Sequence, residues 1–308
     1  MDGRWRRTRF APAPTGLLHL GHVASALTVW GVARAVGAEV LLRIEDHDRQ
    51  RCRPEYEAAL LEDLEWLGLD PDLGTADQFR RGPSPYRQSD NDQRYAGAVA
   101  RLLAAGCRVY SCDCSRRDLA ADGGEVPDRE TPYPGRCRDR GLEPGPGRGL
   151  RLLLGPGSET FTDLWRGART QQPAAQCGDL LLRDRLGNWT YQFAVVVDDL
   201  EHQVDLVVRG EDLLESTGRQ LRLARLLGCP TPPTFCHHPL IRKPDGAKLS
   251  KASGDASVGA LRKAGIPPAE VLGRALHRLG WLGAPTPLDL ESSLDLVLRN
   301  LDKSRFGP

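Results

Sequence analysis

An α/β protein built on a parallel sheet is the fold class this sequence predicts, and three observations predict it. Short β-prone segments alternate with helical segments over residues 1–106, and the same alternation resumes after residue 185. The stretch between loses apolar periodicity altogether. With 308 residues the chain is long enough for a sizeable core, and for two domains or one elaborated domain.

In chain order, the basic and β-prone residues 4–10 form a first strand, and Pro12 and Pro14 then hold the chain extended. After Gly16 comes His19-Leu20-Gly21-His22, opening a helical pattern with Leu20, Val23, Leu27 and Trp30 on one face. The unpaired N–H groups and positive dipole end of a helix start suit a nucleotide's phosphates. Gly21 keeps a side chain away from a base or ribose, and His19 and His22 are placed to stabilise charge developing on an α-phosphate. A proline-rich turn with two surface histidines is the alternative reading of the same residues.

Residues 39–45 read as a buried strand ending in Glu45-Asp46-His47-Asp48. Pro54 opens a helix with Leu60, Leu64 and Leu67 on one face, which Gly68 stops. Residues 70–89 are loop-like, and 94–105 form a helix closed by Gly106. An insertion over 107–184 then separates the two halves of the α/β domain, 1–106 and 185–247. Residues 111–149 are too poor in apolar side chains to fold unaided, which leaves disorder or a metal clip. Short strands follow at 150–154 and 180–184, and Gly187-Asn188 turns a hairpin into 189–197. The parallel pattern resumes with a strand at 204–208, Arg209-Gly210-Glu211-Asp212, a helix through Leu227 and a strand at 235–241. Residues 248–308 carry Lys248-Leu249-Ser250-Lys251 and a small α-rich tail, with helices near 258–263, 268–279 and 289–301.

Lysines and arginines number 42 against 41 acids, a formal net charge of +1, so an RNA-binding role needs a local basic face. No apolar run reaches the length of a membrane span, since Arg34 interrupts the best candidate near 29–42. No apolar stretch follows the N-terminal arginines as it does in a secretory signal. Eight cysteines at irregular spacing read as reduced thiols of a cytoplasmic protein, some of them metal-bound.

Pro-x-Pro-Thr-Gly-x-Leu-His-x-Gly-His over 12–22 and Lys-Leu-Ser-Lys over 248–251 resemble the two signatures of class I aminoacyl-tRNA synthetases. The residues Arg9-Phe10-Ala11-Pro12, Arg43-Ile44-Glu45-Asp46 and Val208-Arg209-Gly210-Glu211-Asp212 look like the glutamyl branch. Discriminating glutamyl enzymes carry a long helical anticodon-binding region after the second signature, where this sequence has residues 252–308. In that respect it looks like the glutamyl-Q tRNA(Asp) synthetase family, which esterifies glutamate to queuosine in the anticodon loop of tRNA(Asp). The resemblance implies a Rossmann-like catalytic domain, a zinc-containing insertion and a small helical stem-contact region. It also implies ATP with Mg²⁺, L-glutamate and queuosine-bearing tRNA(Asp) as partners of a monomer that binds no membrane. Ala252-Ser253 departs from the Gln or Arg that often follows the second lysine in the family.

The residues suit that chemistry. Activation needs positioning and electrostatics rather than an enzyme nucleophile. The expected catalytic groups are His19, His22, Lys248 and Lys251, with His19, Gly21, His22 and Lys251 on ATP. Glutamate has two carboxylates and one ammonium, so its pocket calls for two arginines and an acid. Arg9 and Arg209 end strands where open α/β sheets bind ligands. Glu45 would hold the ammonium, Tyr191 would offer a hydroxyl, and Phe10, Ala11, Pro12 and Ala13 would contribute backbone groups. Internal ion pairs of the two arginines with Glu45 or Glu211 are the alternative. Cys112, Cys114 and Cys137 suit one structural Zn²⁺. The resemblance supplies Tyr133 as fourth ligand, Cys107 being the rival on bare chemistry. Cys52, Cys177, Cys229 and Cys236 read as ordinary buried thiols. Arg116, Arg117, Arg136, Arg138 and Arg140 could track RNA phosphates or form a solvated surface. Rival functions are a shortened glutamyl-tRNA synthetase charging the 3′ end, an idle binding module, and another nucleotidylyl transferase.

Overall fold

A computed structural model describes residues 5–115, 117–119, 132–240 and 256–301. Its first strand, β1 (Arg7–Phe10), pairs in parallel with β2 (Glu39–Leu42), Arg7 opposite Glu39 and Phe10 opposite Leu42. Beyond the first residue of each, both strands are buried throughout, as expected of strands covered on both faces. Between them runs α1 (Leu20–Val36), whose buried residues face every direction. It is therefore a central helix rather than a one-sided one. Gly37 ends it in the left-handed conformation, φ 70°, with its N–H on the Ala33 carbonyl.

The strand β8 (Leu206–Gly210) lies beside β1, the Asp205 N–H donating to the Arg7 carbonyl at 3.2 Å. Beyond it, β9 (Thr234–His238) pairs in parallel with β8. β5 (Glu159–Asp163) joins β9 in parallel and carries β6 (Gly167–Gln171) antiparallel on its outer edge. The central layer thus runs β2-β1-β8-β9-β5-β6. The chain leaves β1 toward β2 on one side and meets β8 on the other, and this reversal of order is where parallel sheets hold ligands. Arg9 and Arg209 sit at the carboxyl ends of the two strands flanking it, and Glu45 lies just beyond β2.

A separate antiparallel sheet, β3 (Val109–Cys112), β4 (Gly149–Leu152) and β7 (Leu180–Arg183), has its own apolar core. That core is shared with α4 (Asp92–Ala104) and α6 (Tyr191–Glu201). The helical tail, α8 (Val258–Lys263), α9 (Pro268–Arg278) and α10 (Leu290–Asn300), packs with α1 and α2 (Pro54–Leu67) in the main core.

Three expectations change. Of the hairpin strand expected over 189–197, residues 191–197 are instead part of the helix Tyr191–Glu201; Trp189 alone bridges back to Arg183. All of 193–199 is buried, and packing on every side outweighs the weak strand preference of Val195-Val196-Val197. Residues 159–171, expected within the insertion, supply β5 and β6 to the central sheet; their exposed Thr and Arg positions hide any apolar alternation. The loop 70–89 contains a short helix, α3 (Ala76–Arg80), started by a capping box between Thr75 and Gln78. Its two remaining short helices are α5 (Pro173–Cys177) and α7 (Thr217–Leu226).

Candidate active site

His19 is the N-cap of α1, and the sequence explains its geometry. Its Nδ1 accepts the Gly21 N–H at 3.1 Å, while His22 Nδ1 accepts the His19 N–H at 3.1 Å. The pair forms a capping box of imidazoles, ring centroids 3.9 Å apart. With Nδ1 accepting, each neutral ring carries its proton on Nε2, the donor that a phosphate oxygen requires. A Cβ on Gly21 would come within 2.9 Å of the His19 ring. The glycine thus makes room for the His19 ring.

His19, Gly21 and His22 line a cavity of about 230 Å³ together with Ser25, Asp212 and His238. His238 was not anticipated. Burial lowers its pKa, and its Nδ1 donates to the Pro239 carbonyl at 2.9 Å, so Nε2 accepts the Ser25 hydroxyl at 3.0 Å. Lys248 and Lys251 lie outside the described residues. The chain is nevertheless fastened to the start of α1 on both sides of 241–255. His238 meets Ser25, and the Val258 N–H donates to the Leu18 carbonyl at 2.9 Å.

Beside this cavity the structure brings Arg9, Glu45, Tyr191 and Arg209 together. Arg9 is buried, its Nε on Asp199 Oδ1 at 3.2 Å and Nη1 on the Val208 carbonyl at 3.2 Å. Arg43, which sequence reasoning left without a role, is fully buried between Asp199 at 2.7 Å and Glu45 at 2.9 Å. Burial alone would raise the Asp199 pKa, but Arg43 and Arg9 together hold it below the usual carboxylate range. Arg9, Asp199, Arg43 and Glu45 thus cancel as two cations and two anions. The internal pair considered for Arg9 exists, with Asp199 rather than Glu45 as partner.

Arg209 is different. It is 5% exposed, and its partners are neutral: His237 Nε2 at 2.9 Å, Gln220 Oε1 at 2.7 Å, Thr217 Oγ1 at 3.0 Å and the Leu213 carbonyl at 3.1 Å. Among the described residues no carboxylate touches it, so burial lowers its pKa. Asp163 of β5 holds it from behind: the His237 Nδ1 meets Asp163 Oδ2 at 2.6 Å, which leaves His237 Nε2 to accept from Arg209. Tyr191 is half-buried; burial raises its pKa, with Arg209, Glu45, Arg9 and Asp199 all close enough to act on its hydroxyl. The backbone groups expected to face glutamate have local duties. The Phe10 and Pro12 carbonyls accept the Arg43 and Glu45 N–H groups at 3.0 and 3.1 Å, and the Ala13 carbonyl accepts that of Thr15 at 2.8 Å. Ala11 is half-buried between them.

The sulfurs of Cys112, Cys114 and Cys137 lie within 4.8 Å of one another. Zinc–sulfur bonds of ~2.3 Å in a tetrahedron place sulfurs ~3.8 Å apart, and Cys114 and Cys137 are 3.5 Å apart. The Tyr133 hydroxyl is 3.4 Å from Cys112 Sγ and 3.9 Å from Cys114 Sγ. Arg151 lies over the Tyr133 ring at 3.6 Å and donates to Cys112 Sγ at 3.3 Å. Burial would raise the Cys112 thiol's pKa, but Tyr133 and Arg151 outweigh it and bring it down. Cys107 packs with the antiparallel-sheet core, away from this cluster, and burial raises its thiol's pKa. Cys177 and Cys236 are buried as expected, whereas Cys52 and Cys229 are only partly so. Arg138 and Arg140 are engaged by Asp179 and Asp113 at 2.9 and 2.7 Å, so neither is an uncommitted phosphate contact. Arg116 lies outside the described residues.

Among the described residues no helix is long and apolar enough to cross a membrane. Residues 6–287 match the family model of class I tRNA synthetases for glutamate and glutamine, catalytic domain. A glutamyl-Q tRNA(Asp) synthetase of Symbiobacterium thermophilum is 41% identical over 295 residues, covering 91% of this chain and 88% of the relative. One from Burkholderia mallei is 42% identical over 308 residues, covering 98% of this chain and 97% of the relative. Among solved structures, a glutamate tRNA ligase from Elizabethkingia meningosepticum in complex with its amino acid is similar, with a TM-score of 0.76 at 29% identity. That alignment covers 96% of this chain and 65% of the longer ligase, so the chain spans a little under two thirds of that enzyme's length. The chain belongs to the class I tRNA synthetases of the glutamate and glutamine type, within the glutamyl-Q tRNA(Asp) synthetase family, and is a ligase.

Proposed function

We propose that the protein activates L-glutamate with ATP and transfers it to the queuosine base in the anticodon loop of tRNA(Asp). The single observation that carries the glutamate assignment is Arg209, a buried guanidinium whose direct partners among the described residues are all neutral. A buried cation of that kind is completed by a carboxylate that arrives with the ligand. Glu45, already on Arg43, takes the ammonium, and Arg9 and Tyr191 close the pocket. The glutamate α-carboxylate then attacks the α-phosphorus of ATP, the bond to pyrophosphate breaks, and a mixed anhydride forms. His19 and His22 donate from Nε2 to the phosphate oxygens as the centre becomes five-coordinate. The lysines of 248–251 clamp the same triphosphate, and the anchors at Ser25 and Leu18 on either side of that motif support the assignment. Mg²⁺ enters with ATP.

In the second step a hydroxyl of the queuosine cyclopentenediol attacks the anhydride and AMP leaves. The modified base has to leave its stack for this. Support for this target is the identity to glutamyl-Q tRNA(Asp) synthetases over most of their length. Cys112, Cys114, Cys137 and Tyr133 hold one structural Zn²⁺, which ties together a segment with little apolar core of its own.

Glutamate-dependent ATP–pyrophosphate exchange tests the first step, with Lys251→Ala expected to abolish it. Acid-gel analysis of tRNA(Asp) with and without queuosine tests the second. Glutamate on the 3′ end rather than on the base would overturn the target assignment, and no exchange would overturn the whole reading.

A further inference from the structure

His47 follows Glu45 by two residues and has no part in the scheme above. It is half-buried, and its ring lies 6.2 Å from that of Tyr191, at the edge of the arginine pocket. Its Nδ1 is 2.8 Å from Gln88 Oε1. The Gln88 amide cannot turn round, because its Nε2 donates to Asp198 Oδ2 at 2.8 Å. Asp198 is in turn fixed by Arg94 Nη1 at 2.7 Å and by the Tyr95 hydroxyl at 3.0 Å. A carboxylate only accepts, so the Gln88 oxygen must face His47 and His47 Nδ1 must carry the hydrogen. The neutral ring therefore presents Nε2 as a lone pair, the opposite tautomer to His19 and His22.

Gln88, Arg94 and Tyr95 from one stretch of the sequence and Asp198 from another thus fix one imidazole as an acceptor next to the pocket, and glutamate activation calls for no base. The transfer step does, because the attacking hydroxyl must lose a proton. Building on the function proposed above, we propose that His47 is the general base of the transfer step. Its Nε2 takes the proton of the queuosine hydroxyl as that oxygen bonds to the glutamyl carbonyl carbon. The bond from that carbon to the phosphate oxygen breaks, AMP leaves with the electron pair, and the imidazolium returns its proton to water. Gln88 and Asp198 are positioning residues that hold the tautomer.

The test measures single-turnover transfer from preformed enzyme-bound glutamyl-adenylate to queuosine-bearing tRNA(Asp), alongside ATP–pyrophosphate exchange. His47→Asn retains an amide donor near the Nδ1 position and lacks Nε2, so it separates the base from the structural bond. His47→Ala is measured with and without added imidazole. The ratio of transfer rate to exchange rate should fall at least about a hundredfold in both variants, the low end of what general bases contribute. Imidazole should restore transfer in His47→Ala. A wild-type ratio in His47→Asn, or equal losses of both rates in both variants, would overturn the proposal. A wild-type protein that neither exchanges nor transfers would instead overturn the functional reading, and this proposal with it.

Discussion

Arg209 shows how one side chain can encode a substrate's charge. Its fork is held by Thr217, Gln220 and His237, so its direction is set before any ligand binds. A lysine at this position keeps the charge but loses the planar fork that these neighbours hold in place. Arg209→Lys should raise the glutamate KM in the exchange assay by ~10- to 100-fold, equivalent to ~1.4–3 kcal/mol of lost charge-assisted bonding. The KM for ATP should move by less than about threefold, which marks the defect as one of the amino-acid pocket. That Arg9 and Arg209 would come near one another was legible in the sequence, because both lie at the carboxyl ends of strands of one open sheet. The roles of Arg43 and His237 were not, because they come from tertiary partners. Arg43 meets Asp199 across 156 positions of sequence and His237 meets Asp163 across 74.

At the level of elements, caps and glycines were readable, whereas packing was not. Pro54 starts α2 and Gly68 closes it in the left-handed conformation, as its sequence dictates. Residues 191–197 misled because β-branched residues have only a slight preference against helix, and burial on all sides decides. The thiol cluster has a direct test. The purified protein should release about one zinc per chain to a thiol reagent. Cys137→Ser should abolish that zinc and sharply increase protease cleavage within 112–137. A second element-level effect sits on α2. Asp63 is fully buried, neither oxygen makes a well-formed hydrogen bond, and burial lifts its pKa to about 6 despite Arg262 at 3.6 Å. Its folded pKa thus exceeds the unfolded one of ~4, so the native state binds the extra proton between those values. Stability from Asp63 is present below pH ~4 and is lost as pH rises through about 6. Asp63→Asn should therefore melt higher than wild type at pH 7, by ~1–3 kcal/mol in urea titrations, and equal it near pH 4.

For the whole molecule, α1 joins the helical tail to the reaction centre. Its first turn carries His19 and His22, and its later turns lie under α10. The contact is close: a Cβ at Gly31 would stand 2.5 Å from Val297 Cγ1 and 2.8 Å from its Cβ, and Val297 is fully buried. Gly31 is in helical conformation, so alanine there gains intrinsic helix propensity of ~1 kcal/mol. The clash should nevertheless win, because Val297 has no exposed space into which to retreat. Gly31→Ala is therefore expected to cost ~1–3 kcal/mol in urea unfolding, an overpacking effect. Val297→Ala alone should cost ~2 kcal/mol for the methyl groups it removes and the gap it leaves. In the double variant the alanine at 31 occupies part of that gap, so the losses should fall short of additive by ~1 kcal/mol or more. Strict additivity would mean that α10 does not seat on α1 at Gly31, and the tail would then have no fixed bearing on the histidine pair.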